Sequence, residues 1–222
     1  MSISQNIKRI TKDLPKDVTL VAVSKTKPHE DLLEAYSAGQ RIFGENKVQE
    51  MVEKHEALPK DIQWHMIGHV QRNKVKYMAP FVSLIHGVDS FKLLKEVNKQ
   101  AQKNDRCISC LIQIKIADED SKFGMGYDDA KALITSEALS SLENIKIVGL
   151  MGMATFTEDI TQIEKEFKNL AAFYDSLKDL ESKQCDWQIL SMGMSGDYKI
   201  AVSCGSNMVR IGSHIFGARN YQ

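Results

Sequence analysis

Val18-Thr19-Leu20-Val21-Ala22-Val23-Ser24-Lys25-Thr26-Lys27-Pro28 reads as a buried strand that ends on a lysine, just before a proline-led helix start. Lys25 therefore stands at a strand's C-terminal rim, where α/β proteins do their chemistry. Partial burial would lower the pKa of its amine and free it to form a Schiff base with an aldehyde. From this segment alone a surface lysine in a strand-to-helix loop is the favoured reading, because charged residues are rarely buried.

Seven further strand-like runs follow, at 41–43, 62–66, 82–86, 107–116, 145–151, 187–191 and 207–211. Helical segments separate them, at 29–38, 45–57, 90–103 and 159–181 among others. The last places Ile163, Phe167, Leu170, Tyr174 and Leu177 on one stripe, which suits core packing. Eight strands alternating with helices predict a single (β/α)8 TIM-type barrel over 1–222, with an extra N-terminal helix at about 3–13. An open doubly wound sheet is the alternative; no G-x-G-x-x-G follows the first strand, and there is no P-loop. Within 107–116, Ile108, Cys110, Ile112, Ile114 and Ile116 share one face, suited to the helix layer. Gln113 and Lys115 on the other face would then point into the barrel near its top. The segment 117–126 reads as a mobile loop over the rim.

Twenty-nine basic and 29 acidic residues give a net charge of +0, so nothing argues for nucleic acid. The start of the chain has no apolar signal core, and no run is long enough to span a membrane. The expectation is a soluble cytoplasmic protein. Cys107 and Cys110 form a C-x-x-C inside a strand with no second pair, so neither redox nor zinc chemistry is expected. His65 and His69 lack an H-E-x-x-H glutamate, so no metal site is expected.

The C-terminal part carries a second chemical signal. Met208-Val209-Arg210-Ile211 is a strand, and Gly212-Ser213 opens a short helix after it. Ser191-Met192-Gly193-Met194-Ser195-Gly196-Asp197 makes a similar turn after the preceding strand. Barrel enzymes commonly bind phosphate with the loops after strands 7 and 8. Arg210 inside a barrel wall needs a partner, such as a ring nitrogen or a carboxylate. Asn46 and His65, at the ends of strands 2 and 3, are candidates to line the mouth. An amine and a phosphate cradle on one rim suit a ligand with an aldehyde and a phosphate. Pyridoxal 5′-phosphate has both, and a phosphosugar lyase would use the same pair.

Six segments together resemble the pyridoxal phosphate homeostasis proteins (the YggS/PROSC family): Ala22–Pro28, Phe43–Glu50, Trp64–Gly68, Leu150–Ala154, Leu190–Ser195 and Val209–Arg219. They occur in order over nearly the whole chain. The resemblance implies a barrel of the fold type III pyridoxal-phosphate class, similar to the alanine racemase N-terminal domain. It implies that Lys25 holds pyridoxal 5′-phosphate as a Schiff base. Ser191, Gly212 and Ser213 would cradle the phosphate, Arg210 would face the pyridine nitrogen, and Asn46 and His65 would line the pocket. It further implies a binding and regulatory role in pyridoxal phosphate supply and amino- and keto-acid balance, with no enzymatic reaction. A racemase-like enzyme is the alternative; it needs an acid/base on each face of its substrate, and the racemases' second domain, which supplies one, is not expected in this chain. Delivery to apo-enzymes and a monomeric state are further expectations. Lys115 or Lys122, near the rim, could compete with Lys25 for the aldehyde and open a release route, or could be solvated surface residues.

Overall fold

The computed structural model describes residues 2–118 and 123–217. Eight strands close into one barrel: β1 (Thr19–Val23), β2 (Ile42–Glu45), β3 (Gln63–Met66), β4 (Leu84–Val88), β5 (Ile108–Ile114), β6 (Ile145–Gly152), β7 (Cys185–Ser191) and β8 (Met208–Ile211). Every neighbouring pair is parallel, and β1 meets β8 with Val21 opposite Arg210 and Ala22 opposite Ile211. The barrel, not the open sheet, is the architecture. Among the described residues, no helix is long and apolar enough to cross a membrane.

Helices follow from caps and stripes. α1 (Ile3–Asp13) starts on a Ser2–Gln5 capping box. The helix Phe91–Lys103 starts where the Ser90 hydroxyl accepts from Leu93 N. The helix Ile160–Leu177 is capped by Asp159 and buries Ile163, Phe167, Leu170, Tyr174 and Leu177, the expected stripe. α2 (His29–Ser37) and α3 (Val48–Ala57) cover the first strands.

Two strand boundaries move toward the mouth. β2 runs on to Glu45, where 41–43 was expected, and the following helix begins at Val48 rather than 45. Buried hydrogen bonds with Ser24 and Lys54 hold Glu45 in the strand. β4 likewise runs on to Val88, where 82–86 was expected, which adds Gly87 and Val88 beyond His86.

Period-two alternation sorts each strand between two apolar clusters. Ile108, Cys110, Ile112 and Ile114 join the large layer between sheet and helices. Val21, Leu84, Leu111, Val148, Met151 and Met208 form a smaller cluster that fills the barrel. Alternation also splits the cysteine pair: Cys107 is exposed, Cys110 is buried, and both thiols are free.

Candidate functional site

Directly above that inner cluster lies a polar layer. His86 is two residues beyond Leu84, Gln113 two beyond Leu111, Ser191 two beyond Ile189, and Arg210 two beyond Met208. Alternation therefore points them into the barrel, one level nearer the C-terminal mouth. His65 of β3 joins them by a 3.1 Å contact between its Nδ1 and His86 Nε2. All five are buried.

The layer is a directional hydrogen-bond chain. Arg210 Nη1 donates to Ser191 Oγ (2.6 Å) and Ser191 O (3.0 Å), and Nη2 donates to Gly152 O (3.0 Å). A guanidinium can only donate, so the Ser191 hydroxyl must turn its own proton to His86 Nδ1, 3.3 Å away. His86 then carries its proton on Nε2 and donates to His65 Nδ1. His65 is left with an Nε2–H, a donor at the end of the chain. Burial lowers the Arg210 pKa to about 10, which leaves it a cation at neutral pH. Burial pushes the His65 imidazole down to about 3 and the His86 imidazole well below its ordinary value. The charge of the layer is thus a single buried guanidinium, satisfied by oxygen acceptors.

These histidines make stability pH-dependent. Their folded-state pKa values lie below the unfolded value of about 6.5, so the unfolded chain binds more protons below that pH. Their contribution is complete above about pH 6.5 and drains as pH falls below it, for His65 until about pH 3. Urea unfolding at pH 7 and pH 5 should differ by roughly 2 kcal/mol for His65 alone. His65→Gln should flatten that dependence.

Lys25 follows β1 and is half-buried. Val21 and Val23 precede it by four and two residues, and alternation places it on their side, toward the mouth. Its turn is fixed by Ser24 N donating to Gly44 O and Lys27 N donating to Ser24 O, each at 3.0 Å. Lys27 Nζ donates to Phe216 O at 2.9 Å, tying this turn to the segment after β8.

The loops after β7 and β8 are tied together. Arg210 N donates to Gly193 O at 3.0 Å, and Gly212 N donates to Ser195 Oγ at 3.3 Å. Gly193 has a φ of +92°, and a Cβ there would lie 2.6 Å from Ala201 Cβ, so the turn needs glycine. A Cβ at Gly212 would come 3.2 Å from Val23 O, which brings the start of this loop close against β1. Ser213, on the exposed first turn of the helix Ser213–Phe216, follows directly.

Asn46 is half-buried just beyond β2, where Gly68 lets the β3 loop pack on its backbone: a Cβ at Gly68 would meet Asn46 O at 2.6 Å. Ser191 stands in a different place from an open phosphate loop. It is fully buried, and its hydroxyl is already shared by Arg210 and His86. His69 parts from His65, pairing with Asp89 at 3.2 Å and stacking on Phe123. Lys115 N donates to Met125 O and Met125 N to Gln113 O, which binds the returning arm of the rim loop to β5. Lys122 and the centre of that loop lie outside the described residues.

His86 and Ser195 were not among the sequence candidates. His86 carried a signal, a polar residue in the apolar run Leu84–Val88, of the kind that singled out Gln113. Ser195 carried none beyond its place in a glycine-rich turn.

The family described as alanine racemase, N-terminal domain, matches residues 1–220. A pyridoxal phosphate homeostasis protein of Vibrio alginolyticus is 40% identical over 235 residues, covering 99% of each chain. PipY of Synechococcus elongatus PCC7942 superposes with a TM-score of 0.91 in its structure without PLP, at 32% identity over 97% of this chain and 100% of PipY. Its structure with PLP bound superposes with a TM-score of 0.88 at 33% identity, with the same coverage. Full-length likeness at this level means that the chain belongs to the pyridoxal phosphate homeostasis protein family, built on the alanine racemase N-terminal domain barrel.

Proposed function

We propose that this chain binds pyridoxal 5′-phosphate at the barrel mouth and holds, buffers or delivers it, in intracellular pyridoxal phosphate homeostasis and amino- and keto-acid balance. The observation that carries the reading is the donor set: a lysine after β1, a buried guanidinium on β8, and two glycine turns tied together beside them. The set fits the group, because a cation and backbone N–H groups suit a phosphate-bearing ring, and glycine at 212 leaves room against β1. When bound, the group supplies an aldehyde that condenses reversibly with an amine.

In this reading Lys25 is the attachment point. Ser213 and the turn opened by Gly212 hold the phosphate, and the Gly212 N–H, donated to Ser195 Oγ, fixes that turn. Arg210 faces the ring nitrogen and, as a cation, disfavours its protonation. Ser191, assigned to the cradle by resemblance, also fixes the guanidinium by accepting from Arg210 Nη1 at 2.6 Å. Asn46 and His65 line the mouth, His65 presenting a proton. PipY with PLP bound, at 33% identity, supports the ligand.

We take the chain to act as one barrel domain, as a cytoplasmic monomer, with pyridoxal-phosphate-dependent apo-enzymes as recipients. The test mixes the loaded protein with such an apo-enzyme beside a trap for free pyridoxal phosphate. Activation of the apo-enzyme despite the trap is expected; complete interception by the trap would refute direct delivery. Exchange of the α-deuterium of an added amino acid would show a racemase-like enzyme instead.

A further inference from the structure

Behind the Lys25 turn, between β2 and α3, lies a buried cluster that the binding site itself does not use. Lys54 Nζ donates to Ser24 O (2.7 Å), Glu45 Oε1 (2.8 Å) and Glu50 Oε1 (2.7 Å). Glu45 Oε1 also accepts from the Ser24 hydroxyl at 2.6 Å, and Glu50 Oε1 from the Thr26 backbone N–H at 2.5 Å. Lys54 and Glu45 are almost completely buried, and Glu50 is mostly so.

Three features separate this cluster from an ordinary ion pair. First, it grips both chain neighbours of Lys25: the carbonyl and hydroxyl of Ser24 on one side and the amide of Thr26 on the other. Second, Thr26 is held at φ +63°, a left-handed conformation that a β-branched residue rarely adopts unless its surroundings impose it. Third, the burial is costly. Glu45 Oε2 is sealed in without a partner among the described residues, and burial raises the Glu45 pKa against the opposing pull of Lys54. A buried charge network around a strained turn is the arrangement found where a side chain must be aimed. By alternation, pinning Ser24 toward the helix layer turns Lys25 toward the mouth.

We infer that Glu45, Glu50 and Lys54 are positioning residues, a clamp that fixes the Ser24–Thr26 turn so that the Lys25 amine is presented to an aldehyde ligand. This rests on the reading of Lys25 as the attachment point. Glu50 is the member to remove, because it is the most exposed of the three and carries the Thr26 contact alone.

The experiment compares the full chain with Glu50→Ala and Glu50→Gln. Hydrogen exchange at the Thr26 amide is read on the protein alone. The rate at which pyridoxal phosphate becomes fixed to Lys25 by borohydride is read by peptide mass spectrometry, and the thermal midpoint is recorded beside it. Glu50→Ala should exchange Thr26 and load Lys25 with about tenfold changes, faster and slower respectively, the factor expected for one charge-assisted hydrogen bond. Glu50→Gln keeps an oxygen for the Thr26 N–H and should recover most of both. A Glu45→Gln/Lys54→Met double variant, which removes the buried charges together, should load slowly in the same way. A folded Glu50→Ala chain that loads Lys25 at the wild-type rate would overturn the clamp, even if its thermal midpoint fell. A wild-type chain that never loads Lys25 would overturn the reading of Lys25, and the clamp with it.

Discussion

Lys25→Ala is expected to reduce borohydride-fixed pyridoxal phosphate to background while the chain stays folded. The amine is the proposed attachment point, and neither Lys54 nor Lys27 is placed to replace it: Lys54 is buried and committed to three acceptors, and Lys27 donates to Phe216 O. Lys25→Arg should fail equally, because a guanidinium stays protonated and cannot attack an aldehyde. Non-covalent affinity should survive in part, through Arg210 and the Gly212–Ser213 turn. Lys25 is half-buried, so its truncation should cost no more than about 1 kcal/mol of stability. Fluorescence or absorbance titration with pyridoxal phosphate, beside urea unfolding, separates the two effects. Unchanged covalent labelling of Lys25→Ala would show that the amine lies elsewhere.

Gly149→Ala should damage the barrel itself. Gly149 lies within β6 at φ +153°, where side chains are rarely tolerated, and a Cβ there would overlap the Ile189 carbonyl of β7, with its carbon at 2.6 Å. The β6–β7 register already shifts between Ile147 and Gly149, so the close approach is part of how the sheet closes. The obstacle is backbone, which cannot swing aside. A loss of at least about 4 kcal/mol in urea unfolding is expected, or failure to accumulate as folded protein. Gly196→Ala is the control: nothing lies within 4 Å of its Cβ position, and its stability should change by less than about 0.5 kcal/mol.

The barrel was legible because its strands and helices differ in period. The run Val18–Ser24 and the stripe from Ile163 to Leu177 each carry one clear periodicity, and both appear where expected. The two faces of β5 were legible for the same reason. Boundaries near the mouth were not: Glu45 is a polar residue held in its strand by tertiary hydrogen bonds, which local pattern does not encode. Ser191 shows the same limit within the site. A serine after strand 7 has the chemistry of a phosphate ligand, but which way it faces depends on an arginine 19 residues away and a histidine 105 residues away. Glu45, Glu50 and Lys54 stand among other charged residues in the sequence, and only the packing of α3 on β2 reveals them as a buried cluster.

The proposed attachment of pyridoxal phosphate to Lys25 is tested by borohydride reduction of the wild-type protein with one equivalent of pyridoxal phosphate, followed by peptide mass spectrometry. One dominant phosphopyridoxyl label is expected, on the peptide containing Lys25. A label spread over surface lysines, or concentrated on Lys115 or Lys54, would contradict it.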